Sequence, residues 1–212
     1  MPDLSLESGA YSRGIQFVAG VDEAGRGPLA GPVVAAAVIL SPDLTGDEPW
    51  LKFLDDSKKL THDKRLRAVD NVHENALAVG VGMVGPDEID QMGIGHAALA
   101  AMMRAVGQLQ FEPGHLLLDF IHVRECAYTY ETIVKGDSKS YSIAAASNVA
   151  KVTRDQLMVE AEETYPGYDF SKHKGYPTKA HFERLNKLGP CPIHRRSFAP
   201  VAQSRMQFTG RI

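Results

Sequence analysis

An unbroken run of eight apolar residues, Val33–Leu40, constrains the fold more than any other segment. A strand of this composition is buried on both faces, so helices must cover the sheet on either side of it. Other short apolar runs, such as Phe17–Val21, alternate with segments of helical periodicity. The order strand, strand, helix, strand, helices, strand, strand, helix, helix predicts an α/β fold with a mixed sheet flanked by helices.

The element boundaries follow from periodicity and from turn residues. Apolar runs predict strands, and apolar residues at helical spacing predict helices, the first capped by Thr61. The predicted strands are residues 16–23, 33–40, 78–84, 115–119 and 130–135, and the predicted helices begin near residues 61, 86, 95, 142 and 177. Residues 1–14 are expected to form a frayed tail. Residues 193–212 are basic and show no clear period.

The composition is that of an ordinary globular protein, with 44% hydrophobic and 23% charged residues. Two cysteines do not make a disulfide framework and favour a reducing compartment. The N-terminus lacks the basic and apolar parts of a signal peptide. No apolar run approaches the ~20 residues that a membrane span needs. We therefore expect a cytoplasmic protein without a membrane segment.

Charge is distributed unevenly along the chain. The net charge is −3, but residues 1–134 carry 10 Lys and Arg against 19 Asp and Glu, whereas residues 135–212 carry 13 against 7. The basic C-terminal third predicts a phosphate-binding face. The alternative is a solvated surface of uneven charge.

Carboxylates follow three of the predicted strands. Asp22 and Glu23 end the first strand, Asp119 ends the fourth, and Asp137 follows the fifth. Acids at the ends of adjacent strands converge, and four carboxylates in one place repel each other unless a cation lies among them. Their hard oxygen ligands suit Mg²⁺ or Mn²⁺, and two such ions clamp a phosphodiester. Asp is also common in turns, so each acid taken alone has a purely structural interpretation.

The segment after the first strand adds anion-binding groups. Asp22 and Glu23 are neighbours, so their side chains reach one site only if the strand is ending there, or if one residue uses its backbone carbonyl. Gly25-Arg26-Gly27 follows and lets backbone N–H groups and a guanidinium approach an anion closely. A tight turn at the exit of the strand is the alternative interpretation.

Further candidates lie in the second half of the chain. Ser147, Lys151 and Arg154 recur at i, i+4 and i+7, on the helix face opposite its apolar stripe. Together with Lys58, the two basic residues are candidate phosphate contacts, although a solvated helix face is the commoner meaning of such a pattern. Tyr176, between Gly175 and Pro177, is poorly placed for the core, and its ring suits packing on a sugar. A half-buried loop tyrosine is the alternative.

Several motifs resemble those of the ribonuclease HII family, in the same order and over residues 17–200. They are D-E before G-R-G at residues 22–27, D-S-K-K-L at 56–60, an Asp closing a short apolar strand at 119, K-G-D at 135–137, S-I-A-A-A-S and A-K-V-T-R-D at 142–155, H-K-G-Y at 173–176, and H-R-x-S-F at 194–198. The related ribonuclease HIII family tends to carry G-K-G, a Glu as fourth acid and an extra N-terminal domain. Arg26, Asp137 and the short N-terminus favour ribonuclease HII.

The resemblance implies an endoribonuclease that acts on the RNA strand of RNA–DNA hybrids and at single ribonucleotides embedded in duplex DNA. It would cut on the 5′ side of the ribonucleotide by two-metal catalysis with Mg²⁺ or Mn²⁺, leaving 3′-hydroxyl and 5′-phosphate ends. The implied cellular role is removal of misincorporated ribonucleotides and RNA primers. The implied metal ligands and catalytic residues are Asp22, Glu23, Asp119 and Asp137. The implied substrate contacts are Gly25, Arg26, Gly27, Ser57, Lys58, Ser147, Lys151, Arg154 and Tyr176, with Tyr176 sensing the RNA-to-DNA junction.

The resemblance also implies an organisation. A ribonuclease-H-like catalytic core is expected over residues 15–165, with a helical and basic C-terminal segment, 166–212, packed on it as part of a single domain. We expect a monomer, and a contact with a replication clamp is left open. Phe120 and Asn148 depart from the family pattern and leave local packing open.

Other functions fit parts of the sequence. A different nuclease or an integrase of the same core would act on DNA without a 2′-hydroxyl. A catalytically silent nucleic-acid binder would not need all four acids. A small-molecule phosphatase would need no basic face of duplex length. A structural zinc is not indicated, because the eight histidines and two cysteines lack H-x-x-x-H and C-x-x-C spacings. The glycines after the first strand do not form the G-x-G-x-x-G of a dinucleotide fold.

Overall fold

A computed structural model describes residues 1–55, 57, 60–119 and 126–209, except for the side chains of residues 205 and 207–209. Five strands are found in these ranges: β1 (Val18–Ala24), β2 (Val33–Ile39), β3 (Ala78–Val84), β4 (His115–Asp119) and β5 (Tyr130–Ile133). The helices are α1 (Ser5–Tyr11), α2 (His62–Asn75), α3 (Pro86–Met92), α4 (Ile94–Val106), α5 (Tyr141–Thr164), α6 (Phe170–His173), α7 (Lys179–Leu188) and α8 (Ala199–Thr209).

The strands form one mixed sheet in the order β3-β2-β1-β4-β5. β1, β2 and β3 pair antiparallel, whereas β1, β4 and β5 run parallel to one another. In the parallel register Val21 pairs with Leu118, so Asp22 and Asp119 lie one residue further along adjacent strands. Residues at matching positions of paired strands point to the same face of a sheet. The strand pairing therefore places these two carboxylates side by side.

Helices cover both faces of the sheet, as the apolar run of β2 requires. Ala35 and Ala37 of β2 pack with α3 and α4 on one face, while Ala36 and Val38 pack with α2 and α5 on the other. Gly20 of β1 lets α5 approach closely, because a Cβ there would collide with the backbone of α5 at Ser142. The predicted α/β class with a flanked mixed sheet is confirmed.

The expected frayed N-terminal tail is wrong. Residues 5–11 form α1, and the Glu7 side chain is only 1% exposed. Its Oε1 accepts hydrogen bonds from the hydroxyls of Ser140 and Ser142, each at 2.6 Å, and from the Ser142 amide at 3.0 Å. A carboxylate at the first turn of α5 is favourable because the N-terminal end of a helix carries partial positive charge. The tail is thus ordered by the buried Glu7 carboxylate together with apolar contacts of Leu6, Ala10 and Tyr11.

The C-terminal region is helical, as predicted, and it packs on the segment that follows β1. Val201 of α8 is buried against Leu29 and against Leu185 of α7. Ala30 and Met158 of α5 form a second small cluster with Tyr168 and Phe170. None of the helices in the described ranges combines the length and apolar character needed to cross a bilayer.

Candidate functional site

Three carboxylates from distant parts of the chain meet at the edge where β1 and β4 end. Oxygen atoms of Asp22, Asp119 and Asp137 lie within 4.8 Å of one another. Asp22 and Asp119 are brought together by the parallel register, whereas Asp137 lies in a 3₁₀ turn, Gly136–Ser138, beyond β5. The amide of Gly136 donates to Asp119 Oδ1 at 2.7 Å, which ties this turn to the end of β4. The expected convergence of strand-end acids is present for these three.

The three carboxylates are well suited to a divalent cation. Asp22 and Asp137 are 6% and 5% exposed, so little water screens their charges. Burial raises the pKa of Asp22 well above its ordinary value, and the neighbouring Glu23 and Asp119 raise it further. Among the described residues, no lysine or arginine forms an ion pair with Asp22 or Asp119. Three clustered carboxylates fit the ligand preference of Mg²⁺ or Mn²⁺ for hard oxygen ligands.

Glu23 lies at the margin of this cluster. Its oxygens are not within the 4.8 Å group, and its Oε1 lies 3.4 Å from Nη1 of Arg26. Burial raises the pKa of Glu23 to about 7; Arg26 opposes that rise, and Asp119 adds to it. Strand alternation points the Glu23 side chain away from the face that carries Asp22 and Asp119. The charge of Asp119 nevertheless raises the pKa of Glu23.

A cleft of about 230 Å³ opens beside the cluster. It brings together most of the residues that the sequence singled out. Its lining consists of Asp22, Glu23, Ala24, Gly25, Arg26, Gly27, Ser57, Ser147, Lys151 and Tyr176. Lys58 lies outside the described residues, as do Asp56 and Lys59 of the same motif and Phe120.

The polar side of the cleft is built by α5 and the loop before α2. Ser57 and Ser147 hydroxyls are 3.0 Å apart, and the Ser147 hydroxyl also lowers the pKa of Asp22 by hydrogen bonding. One turn further along α5, Lys151 Nζ donates to Asp155 Oδ1 at 2.5 Å. Asn148, which departs from the family pattern, donates to the carbonyls of Asp55 and Ala144 at 2.9 and 2.8 Å. Asn148 therefore fastens the loop that carries Ser57 to the helix.

Arg154, expected as a phosphate contact on the helix face opposite the apolar stripe, is instead internal, and the alternative of a solvated helix face does not hold for it either. Its side chain is fully buried, and it donates to the carbonyls of Pro32, Ala30 and Lys174 at 3.0, 3.1 and 3.1 Å. The reason is that the β1–β2 turn folds over this face of α5. Arg154 therefore supports the turn and is not available to a phosphate.

The same contact explains Gly25. Its φ is +99°, a conformation that favours glycine, and a Cβ there would collide with the Arg154 side chain and crowd the Pro32 carbonyl. Sequence reasoning also missed Arg195, which is buried beneath the same turn. It was visible only as part of H-R-x-S-F, and nothing in that motif distinguishes a buried arginine from an exposed one.

Tyr176 borders the same cleft, with 37% of its surface exposed. Its ring lies beside Gly27 and near two cations, 5.7 Å from Lys151 Nζ and 5.6 Å from the Arg154 guanidinium carbon. Both distances are within the range of cation–π attraction. One ring face and the Gly25–Gly27 turn therefore border the same space.

A sequence profile of the family described as "Ribonuclease HII" matches residues 19–201. The chain belongs to the ribonuclease HII family. It is 52% identical to a ribonuclease HII of Bacillus licheniformis over 197 residues, covering 93% of this chain and 75% of that protein. The crystal structure of a ribonuclease H2 from Pyrococcus horikoshii OT3 superposes with a TM-score of 0.76 at 26% identity, covering 92% and 99% of the two chains.

A more distant structure shows the same fold. It is the PCNA:RNase HII complex from Archaeoglobus fulgidus, with a TM-score of 0.72 at 24% identity, covering 89% of this chain and 96% of that one. The family membership identifies the protein as a nuclease, a hydrolase of phosphodiester bonds, and the resemblance read from the sequence motifs is confirmed.

Proposed function

We propose that this ribonuclease HII protein hydrolyses the RNA strand of RNA–DNA hybrids and cuts duplex DNA on the 5′ side of single embedded ribonucleotides, leaving 3′-hydroxyl and 5′-phosphate ends. One observation supports this most directly. Asp22 of the buried Asp22–Asp119–Asp137 cluster lines one cleft together with the Gly25-Arg26-Gly27 turn and Tyr176. A metal-binding group and a sugar-binding group would therefore act on the same nucleotide.

Asp22, Asp119 and Asp137 would hold the metal ions, with Glu23 at the edge of the cluster. When bound, a pair of divalent ions supplies the positive charge that activates a water nucleophile and stabilises the leaving oxygen. The serine hydroxyl of Ser147 orients Asp22 by hydrogen bonding, and the Gly136 amide orients Asp119. The chain's own contribution at this end of the cleft is to hold carboxylate oxygens in fixed positions.

The other end of the cleft would recognise the sugar. Only RNA carries a 2′-hydroxyl, and its donor and acceptor capacity distinguishes a ribonucleotide from a deoxyribonucleotide. Backbone N–H groups of Gly25–Gly27 and the Tyr176 hydroxyl border the space where that group would lie, while the Tyr176 ring packs on the neighbouring sugar. Lys151 lies close enough to neutralise an adjacent phosphate.

The test is a cleavage assay on three duplexes that share one sequence: an RNA–DNA hybrid, a DNA duplex with one ribonucleotide, and an all-DNA duplex. We expect Mg²⁺- or Mn²⁺-dependent cuts in the first two and none in the third. The cut in the second should lie 5′ to the ribonucleotide. Cleavage of the all-DNA duplex would instead select a DNA nuclease, and failure to cut the second in folded, hybrid-active protein would contradict the single-ribonucleotide specificity.

The remaining expectations concern the cellular location, the oligomeric state and a protein partner. Cys126 and Cys191 are free, which supports the proposed cytoplasmic location. The archaeal relative's complex with PCNA supports a proposed contact with a replication clamp. Sedimentation of the protein alone and with a sliding clamp tests the proposed monomer and this contact together.

A further inference from the structure

Arg195 holds the inner side of the turn that follows β1. Its side chain is fully buried and spreads all three nitrogens over carbonyls of that turn. Nη2 donates to Gly25 at 2.6 Å, Nη1 to Arg26 at 3.0 Å, and Nε to Gly31 at 3.0 Å. The Arg195 amide also donates to the Leu29 carbonyl at 2.9 Å. One rigid guanidinium thus fixes both arms of the turn.

These contacts determine where the neighbouring amides point. In a trans peptide the C=O of one residue and the N–H of the next point in opposite directions. Because the carbonyls of Gly25 and Arg26 face Arg195, the N–H groups of Arg26 and Gly27 face away from it, on the side that lines the cleft. The hydrogen bonds among the described residues leave these two amides without an acceptor.

The charge beneath the turn strengthens the same effect. Neither Arg195 nor Arg154 has a described carboxylate within 4.0 Å, although both are fully buried. Burial, together with the nearby Arg154, lowers the pKa of Arg195 to about 9. Burying charges without an acidic partner is unfavourable for folding. Here Arg195 polarises the two peptide groups whose N–H ends face the place of an anionic substrate.

We propose that Arg195 is a positioning residue that turns the Arg26 and Gly27 amides into the cleft, where they bind an oxygen of the nucleic-acid backbone beside the acidic cluster. The inference rests on the proposed function, because it assigns these amides to the same substrate. Arg154 supports the other side of the turn, at Ala30 and Pro32, and does not reach the two peptide groups concerned.

The experiment compares Arg195→Lys and Arg195→Met with two controls. Lysine keeps the positive charge but lacks the planar guanidinium, so it cannot donate hydrogen bonds to three separate carbonyls at once. Arg196→Lys changes the adjacent, exposed arginine. Leu185→Ala weakens the apolar cluster with Leu29 and Val201 in the same region but removes no hydrogen bond of Arg195. Cleavage of the RNA–DNA hybrid gives kcat and KM, melting temperatures give stability, and ¹H–¹⁵N spectra of the wild-type protein follow the Arg26 and Gly27 amides as hybrid is added with Ca²⁺.

We expect KM to rise about 10- to 100-fold in both Arg195 variants. This rise should exceed the rise in KM of Leu185→Ala, compared at equal melting temperature. The KM of Arg196→Lys should match that of the wild type. Both amide signals should shift on addition of hybrid. Wild-type KM in Arg195→Lys, or an equal loss in Leu185→Ala, would overturn the proposal. If neither Arg195 variant folds, the ¹H–¹⁵N spectra of the wild-type protein test the proposal. Arg26 and Gly27 amide signals that do not shift when hybrid is added would then overturn it. If the wild type cuts only the hybrid, single-ribonucleotide specificity fails while this comparison still stands.

Discussion

The Nε2 atoms of His181 and His194 lie 3.1 Å apart in a buried hydrogen bond. Their other partners define which nitrogen carries each proton. His181 Nδ1 donates to the Tyr176 carbonyl at 3.0 Å, so its Nε2 is the acceptor, and His194 Nε2 is the donor. His194 Nδ1 then accepts from the Cys191 amide at 3.0 Å. Two neutral histidines therefore connect α7 and the segment before α8 to the backbone of Tyr176.

This pair predicts a loss of stability in acid. Burial lowers the pKa of both histidines to about 4, from an ordinary value of 6.5. Since the folded-state value is the lower one, the stabilisation is complete above about pH 6.5 and is lost as the pH falls towards 4, by on the order of 3 kcal/mol for each histidine. Denaturant unfolding between pH 7 and 4 measures this. His181→Asn, which keeps a donor for Tyr176, should flatten the dependence, and the exposed His96→Asn should leave it unchanged; an unaltered slope in His181→Asn would contradict the assignment.

Divalent ions should stabilise the folded protein. Bringing Asp22, Asp119 and Asp137 together is unfavourable without a cation, so a saturating ion adds about 2.7 kcal/mol at 100 times its Kd. Thermal melting with and without Mg²⁺ measures the gain. Asp119→Asn should melt higher than the wild type without metal and gain little from Mg²⁺, whereas the exposed Asp70→Asn should behave as wild type. An equal Mg²⁺ effect in Asp119→Asn would place the ion elsewhere.

Tyr176→Phe should separate sugar recognition from folding. Removing the hydroxyl loses one hydrogen bond to the substrate but keeps the ring over which Lys151 and Arg154 lie. We expect about a tenfold fall in kcat/KM on the single-ribonucleotide duplex, with an unchanged melting temperature. Tyr165→Phe, at the end of α5, is the control. Activity equal to wild type would show that the hydroxyl does not bind the ribonucleotide.

Glu7→Gln should destabilise the protein although it lies in the N-terminal helix. The charged oxygen accepts three hydrogen bonds at the first turn of α5, and loss of that charge costs about 1–2 kcal/mol. Urea unfolding gives the difference, with the exposed Glu131→Gln as control. A change below about 0.3 kcal/mol would mean that the N-terminal helix is held by its apolar contacts alone.

Much of the fold was predictable because its signals are local. The continuous apolar run of β2 and the helical spacing of α2 and α4 depend on neighbours in sequence, and the predicted boundaries of β3 and β4 agree with the structure. The convergence of Asp22 and Asp119 followed from the position of acids at strand ends. The convergence of Asp137 was predicted in the same way, but the 3₁₀ turn that carries it and the Gly136 contact with Asp119 were not.

The unpredicted features depend on tertiary contacts between polar groups. Helix α1 is held by the Glu7 carboxylate in addition to the apolar contacts of Ala10, and α8 lacks an apolar stripe that its own sequence could reveal. The sequence favours a phosphate contact for Arg154 and does not single out Arg195, because it does not reveal that carbonyls of a turn more than 100 residues away accept their hydrogen bonds. Two of the basic residues in the C-terminal third are therefore internal, and the phosphate-binding face remains a prediction for the others.

The most direct measurement is anomalous diffraction from crystals soaked in Mn²⁺. We expect at least one manganese peak among Asp22, Asp119 and Asp137, about 2.1 Å from their oxygens, and its loss in Asp119→Asn crystals. The contradicting result is a protein that cleaves the hybrid but whose crystals, at saturating Mn²⁺, show no manganese at this cluster or show it only at other residues. That result would mean that these three carboxylates do not hold the catalytic metal.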